Sequence, residues 1–469
     1  MSDDDLSNHK IGLNIQRVAC LLAGVLMWVP MLGHAEGPGV RAGDLVFHPQ
    51  AWVAGGYDSN VFRESAKHRE GVNEAVVLRA GGGLSMRNRS PNKIALSFDT
   101  QLTYRHFAAV NALDDVSVDL IASRNGVSDA SANAKIGFFP KSVITLEISD
   151  DFRYSERPPY NEVDGAIAGL RRDGKFDSIL GFEKINNGVG VELAFRPGSG
   201  NRPIELRLGY KFRIIRFLDG EFVGASRGNR NTHEISLLSR WRFLPKTAAE
   251  FKVDFHIHDY EQPPLVVALN ADGSTQLGES ADRDSSPLRL SLGLRGLITK
   301  RMSALIQLGY SNSFNAAADS YSMIVGKAEL QYVLEPTLTT KLGYEHDMRP
   351  SAFSNYVVVD RVYGAGELHF LRGFTLGASA GIGYYQYAIA GAPEGRNEAG
   401  QTVPQDRTDP VVRSKVRLAY NIRNWLTAEG SWQLESNLTE YKTRDLGGNQ
   451  PDYADYNRQL LMFVVRAVY

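Results

Sequence analysis

From Val46 to Tyr469 the dominant feature is one-for-one alternation of apolar and polar residues, sustained over segments longer than the ~5–6 residues of an ordinary strand. Ile94, Leu96, Phe98, Leu102 and Tyr104 alternate with Ser97, Asp99, Gln101, Thr103 and Arg105. Ile204, Leu206, Leu208, Tyr210 and Phe212 oppose Glu205, Arg207, Lys211 and Arg213, and Phe251, Val253, Phe255 and Ile257 oppose Glu250, Lys252, Asp254, His256 and His258. Successive side chains of a strand point to opposite faces, so each segment has one apolar face and one that must meet water. Charge on every second residue does not suit the core of a soluble sandwich. A strand that crosses a bilayer needs about 9 to 11 residues, with lipid outside and a polar lumen inside, and the pattern agrees in length and in sign.

The connections fall into two kinds. Eight are short: Arg89-Ser90-Pro91-Asn92, Pro140-Lys141, Pro197-Gly198-Ser199-Gly200-Asn201, Pro245-Lys246, Lys300-Arg301, Glu335-Pro336, Arg372-Gly373 and Arg423-Asn424. The other nine are mostly longer and rich in Asp, Asn, Gly and Ser, as at 155–173, 261–285, 391–410 and 439–455. Tight periplasmic turns and long outer loops are the habit of bacterial outer-membrane barrels, and seventeen connections predict eighteen antiparallel strands. Sixteen or twenty stay open, because alternation is blurred over 114–139 around Asn125-Gly126-Val127-Ser128.

Leu208-Gly209-Tyr210, Leu308-Gly309-Tyr310 and Leu342-Gly343-Tyr344 each follow a tight turn by several residues and place tyrosines at constant depth, as an aromatic girdle requires. Trp241, Phe243, Phe370, Tyr420 and Trp425, beside short turns, predict the girdle at the opposite boundary. The last strand carries Leu461, Phe463, Val465, Ala467 and Tyr469 on one apolar face that ends on an aromatic. This arrangement resembles the C-terminal signal by which barrel precursors are handed to the assembly machinery. The fold expectation is therefore an all-β transmembrane barrel over 45–469, in contact with outer-membrane lipid.

Composition narrows the rest. The 469 residues carry 52 Lys+Arg against 53 Asp+Glu, a formal net charge of -1, so nothing favours nucleic acid as a partner. With 22% charged residues, a helical membrane bundle is excluded. The one long apolar run lies at 18–33, after Lys10 and Arg17 and before Gly33-His34-Ala35, the order of an export signal; residues 1–35 are expected to be removed after Ala35. Residues 36–44 would then form a short periplasmic segment. The single Cys20 lies within that leader, which leaves no disulfide or thiol chemistry.

Candidate chemistry sits on the polar face. Arg207, Lys211 and Arg213, with Arg240 and Arg242 on the next strand, form a cationic ladder that is expected either to pair with wall carboxylates such as Glu205 and Glu234 or to bind an anionic sugar or phosphate. Asp254, Arg413, Lys415 and Arg417 are further lumen candidates. Asp254, His256 and His258 share a face at a pitch of about 6.5 to 7 Å, which reads as polar wall rather than as a metal site. Tyr57-Asp58-Ser59-Asn60 offers oxygens suited to calcium but suits a turn better. No nucleophile elbow, His-Glu-x-x-His or phosphate loop is present, so neither an enzyme nor a cofactor is expected.

The stretch Ala54-Gly55-Gly56-Tyr57-Asp58-Ser59-Asn60-Val61-Phe62, followed by long alternating strands and turns such as Phe139-Pro140-Lys141-Ser142 and Leu244-Pro245-Lys246-Thr247, resembles the β-barrel porin family found with bacterial exopolysaccharide and capsule export systems. That resemblance implies an eighteen-stranded conduit for a surface polysaccharide, working with a periplasmic polysaccharide-export protein. It supplies no catalytic residues. A general porin or small-solute channel, or a surface adhesin, stays open. A polymer path should be wide and lined with aromatic and polar groups for sugar faces, whereas a passive porin should show a constriction loop folded into the lumen, with segregated charge.

Overall fold

The computed structural model describes residues 39–469 except 62, 64–72, 112–117, 119–120, 123–124, 156–182, 199–202, 219–228, 262–264, 270–274, 279–283, 317–319, 335–336, 351–355, 372, 389–393, 397–401, 405–406, 441, 444–451 and 454. The expected leader 1–35 lies outside the described residues.

The first six barrel strands are β1 (Leu45–Asp58), β2 (Glu74–Asn88), β3 (Ile94–Asn111), β4 (Gly126–Phe138), β5 (Ile144–Ser155) and β6 (Lys184–Phe195). The next six are β7 (Ile204–Phe217), β8 (Arg230–Leu244), β9 (Thr247–Tyr260), β10 (Leu288–Leu297), β11 (Met302–Asn312) and β12 (Ser322–Leu334). The circuit finishes with β13 (Leu338–Pro350), β14 (Tyr356–Phe370), β15 (Phe374–Ala388), β16 (Arg407–Arg423), β17 (Leu426–Asn437) and β18 (Tyr456–Val468). Each pairs antiparallel with its sequence neighbours, and β1 pairs with both β2 and β18, from Gln50↔Val468 to Asp58↔Leu460. The sheet thus closes on itself as an eighteen-stranded antiparallel barrel. Of residues 36–44, Val40–Ala42 runs back along Leu45–Phe47 as a short hairpin.

All eight short connections fall between strands two and three, four and five, and so on to sixteen and seventeen, at one rim. The blurred region resolves into a single strand, β4, which sets the count at eighteen. At the turn after β4, Phe139 adopts φ 54° and the Ser142 amide donates to the Phe139 carbonyl at 2.9 Å, a tight reversal beside Pro140.

Inside and outside are settled by reach. Arg213 on β7 contacts Asp151 on β5, and Arg289 on β10 contacts Asp347 on β13. Side chains on strands separated by one or two others meet only on the concave face. The alternate residues point outward: Leu292 and Leu308 are each 63% exposed, Phe463 57% and Leu461 51%, an apolar surface that only lipid can cover. Trp241, Phe243, Tyr420 and Trp425 are exposed near the turn rim, where Trp241 packs on Phe243 and Phe374 stacks on Tyr420. Tyr210, Tyr310 and Tyr344 are exposed toward the other rim, each with its hydroxyl hydrogen-bonded.

Candidate functional site

Because the wall is one sheet, function has to come from its inner face and from loops that enter it. The predicted cationic ladder lies on that face and is paired almost throughout. Arg207 donates to Glu205 at 2.7 Å and to Glu192 at 3.2 Å. Arg240 donates to Glu250 at 2.8 Å and Glu205 at 3.2 Å. Lys211 and Arg213 both engage Asp151, and Arg213 also donates to Glu234 at 2.7 Å. Glu205, only 6% exposed, gathers Arg196, Arg207 and Arg240 around one carboxylate. Arg242 lies at the turn rim, exposed, with no side-chain partner among the described residues. The same logic holds across the barrel, where Arg417 contacts Glu367 and lies 3.6 Å from Glu429.

At the loop rim, β6 to β14 surround a cavity of about 690 Å³. Its lining includes Asp254, His256, His258, Arg213, Arg289 and Asp347. Asp254 takes an ion pair from Lys252 at 2.8 Å, and the buried His258 shares a hydrogen bond with Thr232 at 3.0 Å through Nδ1. The histidines meet edge to face rather than converging on a common point, with ring centroids 5.7 Å apart.

On the other side of that rim, apolar side chains cluster against the inner wall. Ile121, in the connection between β3 and β4, is 1% exposed and packs with Val61, Ala75, Val77, Phe107, Leu460 and Met462. Ala75, Val77, Phe107, Leu460 and Met462 are inward positions of β2, β3 and β18, so Ile121 is a loop residue seated on the inner wall. Asn125 holds the return of this loop, accepting from the Phe107 amide at 2.5 Å through its side chain and donating its own backbone N–H to the Ala122 carbonyl at 3.1 Å. Nothing in the alternation pattern singled out Ile121; the apolar Leu113, Val116, Val118, Leu120 and Ile121 within one connection were the available signal.

Behind this cluster an ion-pair network joins the two ends of the circuit. Arg458 donates to Asp58 through Nε at 2.8 Å and Nη2 at 2.5 Å, and Asp58 has no solvent exposure. Glu435 accepts from Arg63 at 2.9 Å and from the Tyr456 hydroxyl at 3.2 Å, with Arg413 and Arg458 at 3.6 and 3.7 Å. Burial opposes the charge of Arg63, but the Glu435 carboxylate more than offsets it and raises the Arg63 pKa above its ordinary value. The Gly56 to Asn60 stretch is therefore seam: Ser59 accepts from the Gln459 amide at 2.8 Å, and Asn60 donates to the Asn457 carbonyl at 3.1 Å. The Asp58 carboxylate, a calcium candidate by sequence, is occupied by Arg458.

On the terminal strand, Leu461, Phe463, Val465 and Ala467 occupy the outward parity, and the Tyr469 amide donates to the Pro49 carbonyl at 3.0 Å.

No protein-family model matches the chain, and no curated protein matches it. Solved structures similar to it include OccK11 (OpdR) of Pseudomonas aeruginosa, 13% identical over 93% of this chain and 99% of that one, TM-score 0.44. OpdQ of the same organism is 10% identical over 91% and 98%, TM-score 0.45, and the siderophore receptor PirA of Acinetobacter baumannii 10% over 90% and 80%, TM-score 0.47. The closed eighteen-strand circuit, its lipid-facing apolar band and its aromatic girdles place the chain among outer-membrane β-barrels.

Proposed function

We propose that the protein is a channel for small solutes, working without chemistry of its own. The observation that carries this reading is Ile121. A loop residue seated in an apolar cluster on the inner wall narrows the rim and leaves the passage beside the 690 Å³ cavity on the opposite side. Such an inward loop is what distinguishes a porin from an open conduit. A hydrated polymer would need that rim clear. The residues behind the resemblance to polysaccharide-export barrels, Gly56 to Asn60, are accounted for by closure of the barrel, and the comparisons lend that narrower role no support.

Liposome swelling with neutral sugars of increasing size tests the reading. Purified wild-type protein should admit monosaccharides and exclude larger oligosaccharides, and Ile121→Asp, which cannot stay in an apolar cluster, should raise the size limit. Proteoliposomes impermeable to every sugar, with wild type and variant both folded, would refute it.

A further inference from the structure

Midway along the inner wall, β14 to β18 enclose a depression of about 480 Å³. Small side chains make its floor. A Cβ added to Gly381 would meet the Val362 carbonyl oxygen at 3.1 Å and Tyr363 Cβ at 3.2 Å, but no side-chain tip, so the space above it opens to the lumen. The neighbouring rings are tucked aside: Tyr363 lies over Gly343, and Tyr385 folds onto Gly383. Ala365 and Ser379 continue the floor.

Four cations line this hollow, Arg361, Arg413, Lys415 and Arg458, with the Glu435 carboxylate at its edge held between Arg413 and Arg458. The register runs Arg361↔Gly383↔Val411, then Tyr363↔Gly381↔Arg413, then Ala365↔Ser379↔Lys415. Arg361 and Arg413 thus stand two strands apart and two residues out of line, about 12 Å between backbones, which leaves room for an oxyanion held from both sides by charge-assisted bonds of ~2.8 Å. Arg361 is braced from behind by Glu345 at 2.6 Å, and Arg413 by the Tyr385 hydroxyl at 3.4 Å and Glu435 at 3.6 Å. Lys415 differs from both. Its direct cross-strand neighbours, Ser379 and Gln433, are neutral, and no carboxylate or hydrogen-bond partner reaches it among the described residues. Where the ladder of Arg207, Lys211, Arg213 and Arg240 is neutralised by wall carboxylates, this wall holds an ammonium that is not.

We propose that the depression is an oxyanion subsite, with Lys415 as its specificity residue, that gives the channel a preference for small solutes bearing a carboxylate or phosphate. The proposal rests on the channel reading above and adds the substrate class. Ser379 and Gln433 supply neutral donors beside the ammonium, and the Gly381 gap supplies the room. Arg413 is a poor test because it also touches the seam carboxylate Glu435; Lys415 touches nothing whose loss would unfold the barrel.

The experiment is planar-bilayer recording of the full-length wild type, Lys415→Gln, Lys415→Glu and, as a control at the turn rim, Arg242→Gln, each shown to be folded by heat-modifiable migration. Reversal potentials across a KCl gradient should show anion preference in wild type and in the control. Lys415→Gln should lower the anion-to-cation permeability ratio about fivefold, the effect of one charge near contact distance in nearly bulk water, and Lys415→Glu should lower it further. Acetate and inorganic phosphate, added separately, should each reduce the chloride current in wild type and less in Lys415→Gln; reduction by one alone would tell carboxylate from phosphate recognition. Conducting channels with the same ratio in all four proteins would overturn the subsite while leaving the channel intact. Folded wild type that passes no current would overturn the channel reading and the subsite with it.

Discussion

Asp58 and Arg458, 400 positions apart, share a two-point ion pair at 2.8 and 2.5 Å in which the carboxylate is fully buried. It joins the end of the first strand to the start of the last. The two side chains meet only once the sheet has closed, so the pair marks the completed circuit. Breaking a buried pair by removing one partner typically costs about 3 to 5 kcal/mol. Asp58→Asn should lower unfolding stability in urea by about that amount, measured by tryptophan fluorescence in detergent or vesicles, and shift heat-modifiable migration to a lower temperature. Unchanged stability would show that the seam is held by backbone pairing alone.

Gly56 tests the same seam sterically. A Cβ there would collide with the Leu461 carbonyl oxygen and the Met462 sulfur, and the first of these belongs to backbone already committed to the ladder. Gly56→Ala should impair folding far more than Gly82→Ala, whose Cβ would find its nearest atom at 3.4 Å. The yield of heat-modifiable barrel in the outer membrane measures this, and equal yields would contradict it.

The register of the wall is tested by arginine. Leu308 points to lipid and is 63% exposed, whereas Gln307 faces inward, bonded to Ser291 at 2.7 Å. Arginine near the midplane of a barrel's lipid face costs about 2 to 4 kcal/mol. Leu308→Arg should therefore reduce assembly and stability much more than Gln307→Arg. Equal tolerance would mean a slip of one residue, which exchanges the two faces.

The loop that carries Ile121 returns to the wall through Asn125, which bonds the Phe107 amide at 2.5 Å. Asn125→Ala should leave the barrel folded but free the loop, which would appear as larger, noisier single-channel currents. A quiet channel of wild-type conductance would indicate that the apolar contact of Ile121 suffices alone.

Removal of 463–469 takes away most of the outward face of the terminal strand and its pairing with β1 and β17. Outer-membrane insertion should fail, and a truncated chain that still migrates as a heat-modifiable barrel would contradict this.

Much of the wall was legible because the physical rule behind it is local. Alternation has a period of two whatever the strand pairs with, and turn residues such as Pro140, Pro245 and Gly373 announce reversals where they stand. Strand order and facing follow from those rules together, and the count to within the blurred stretch at 114–139. The interior was less legible because its partners are remote. Nothing near Asp58 indicates Arg458, and Glu435 gathers arginines from the first loop, β16 and β18. Arg207 and Lys415 look alike in sequence, both basic residues among alternating apolar ones. Only the register, which sets Glu205 and Glu192 beside one and Ser379 and Gln433 beside the other, separates them. Ile121 was hidden for a third reason: it sits in a connection, where no period governs.

The self-paired ladder from Arg207 to Arg240 also bears on the electrolyte within the barrel. A wall that holds its own counter-charges at fixed positions attracts few mobile ions, so the ionic content of the lumen should follow that of the medium rather than be buffered by the protein. Conductance would then rise in proportion to external salt. Against so quiet a background, an ammonium such as that of Lys415, with no carboxylate beside it among the described residues, is enough for a passing solute to feel.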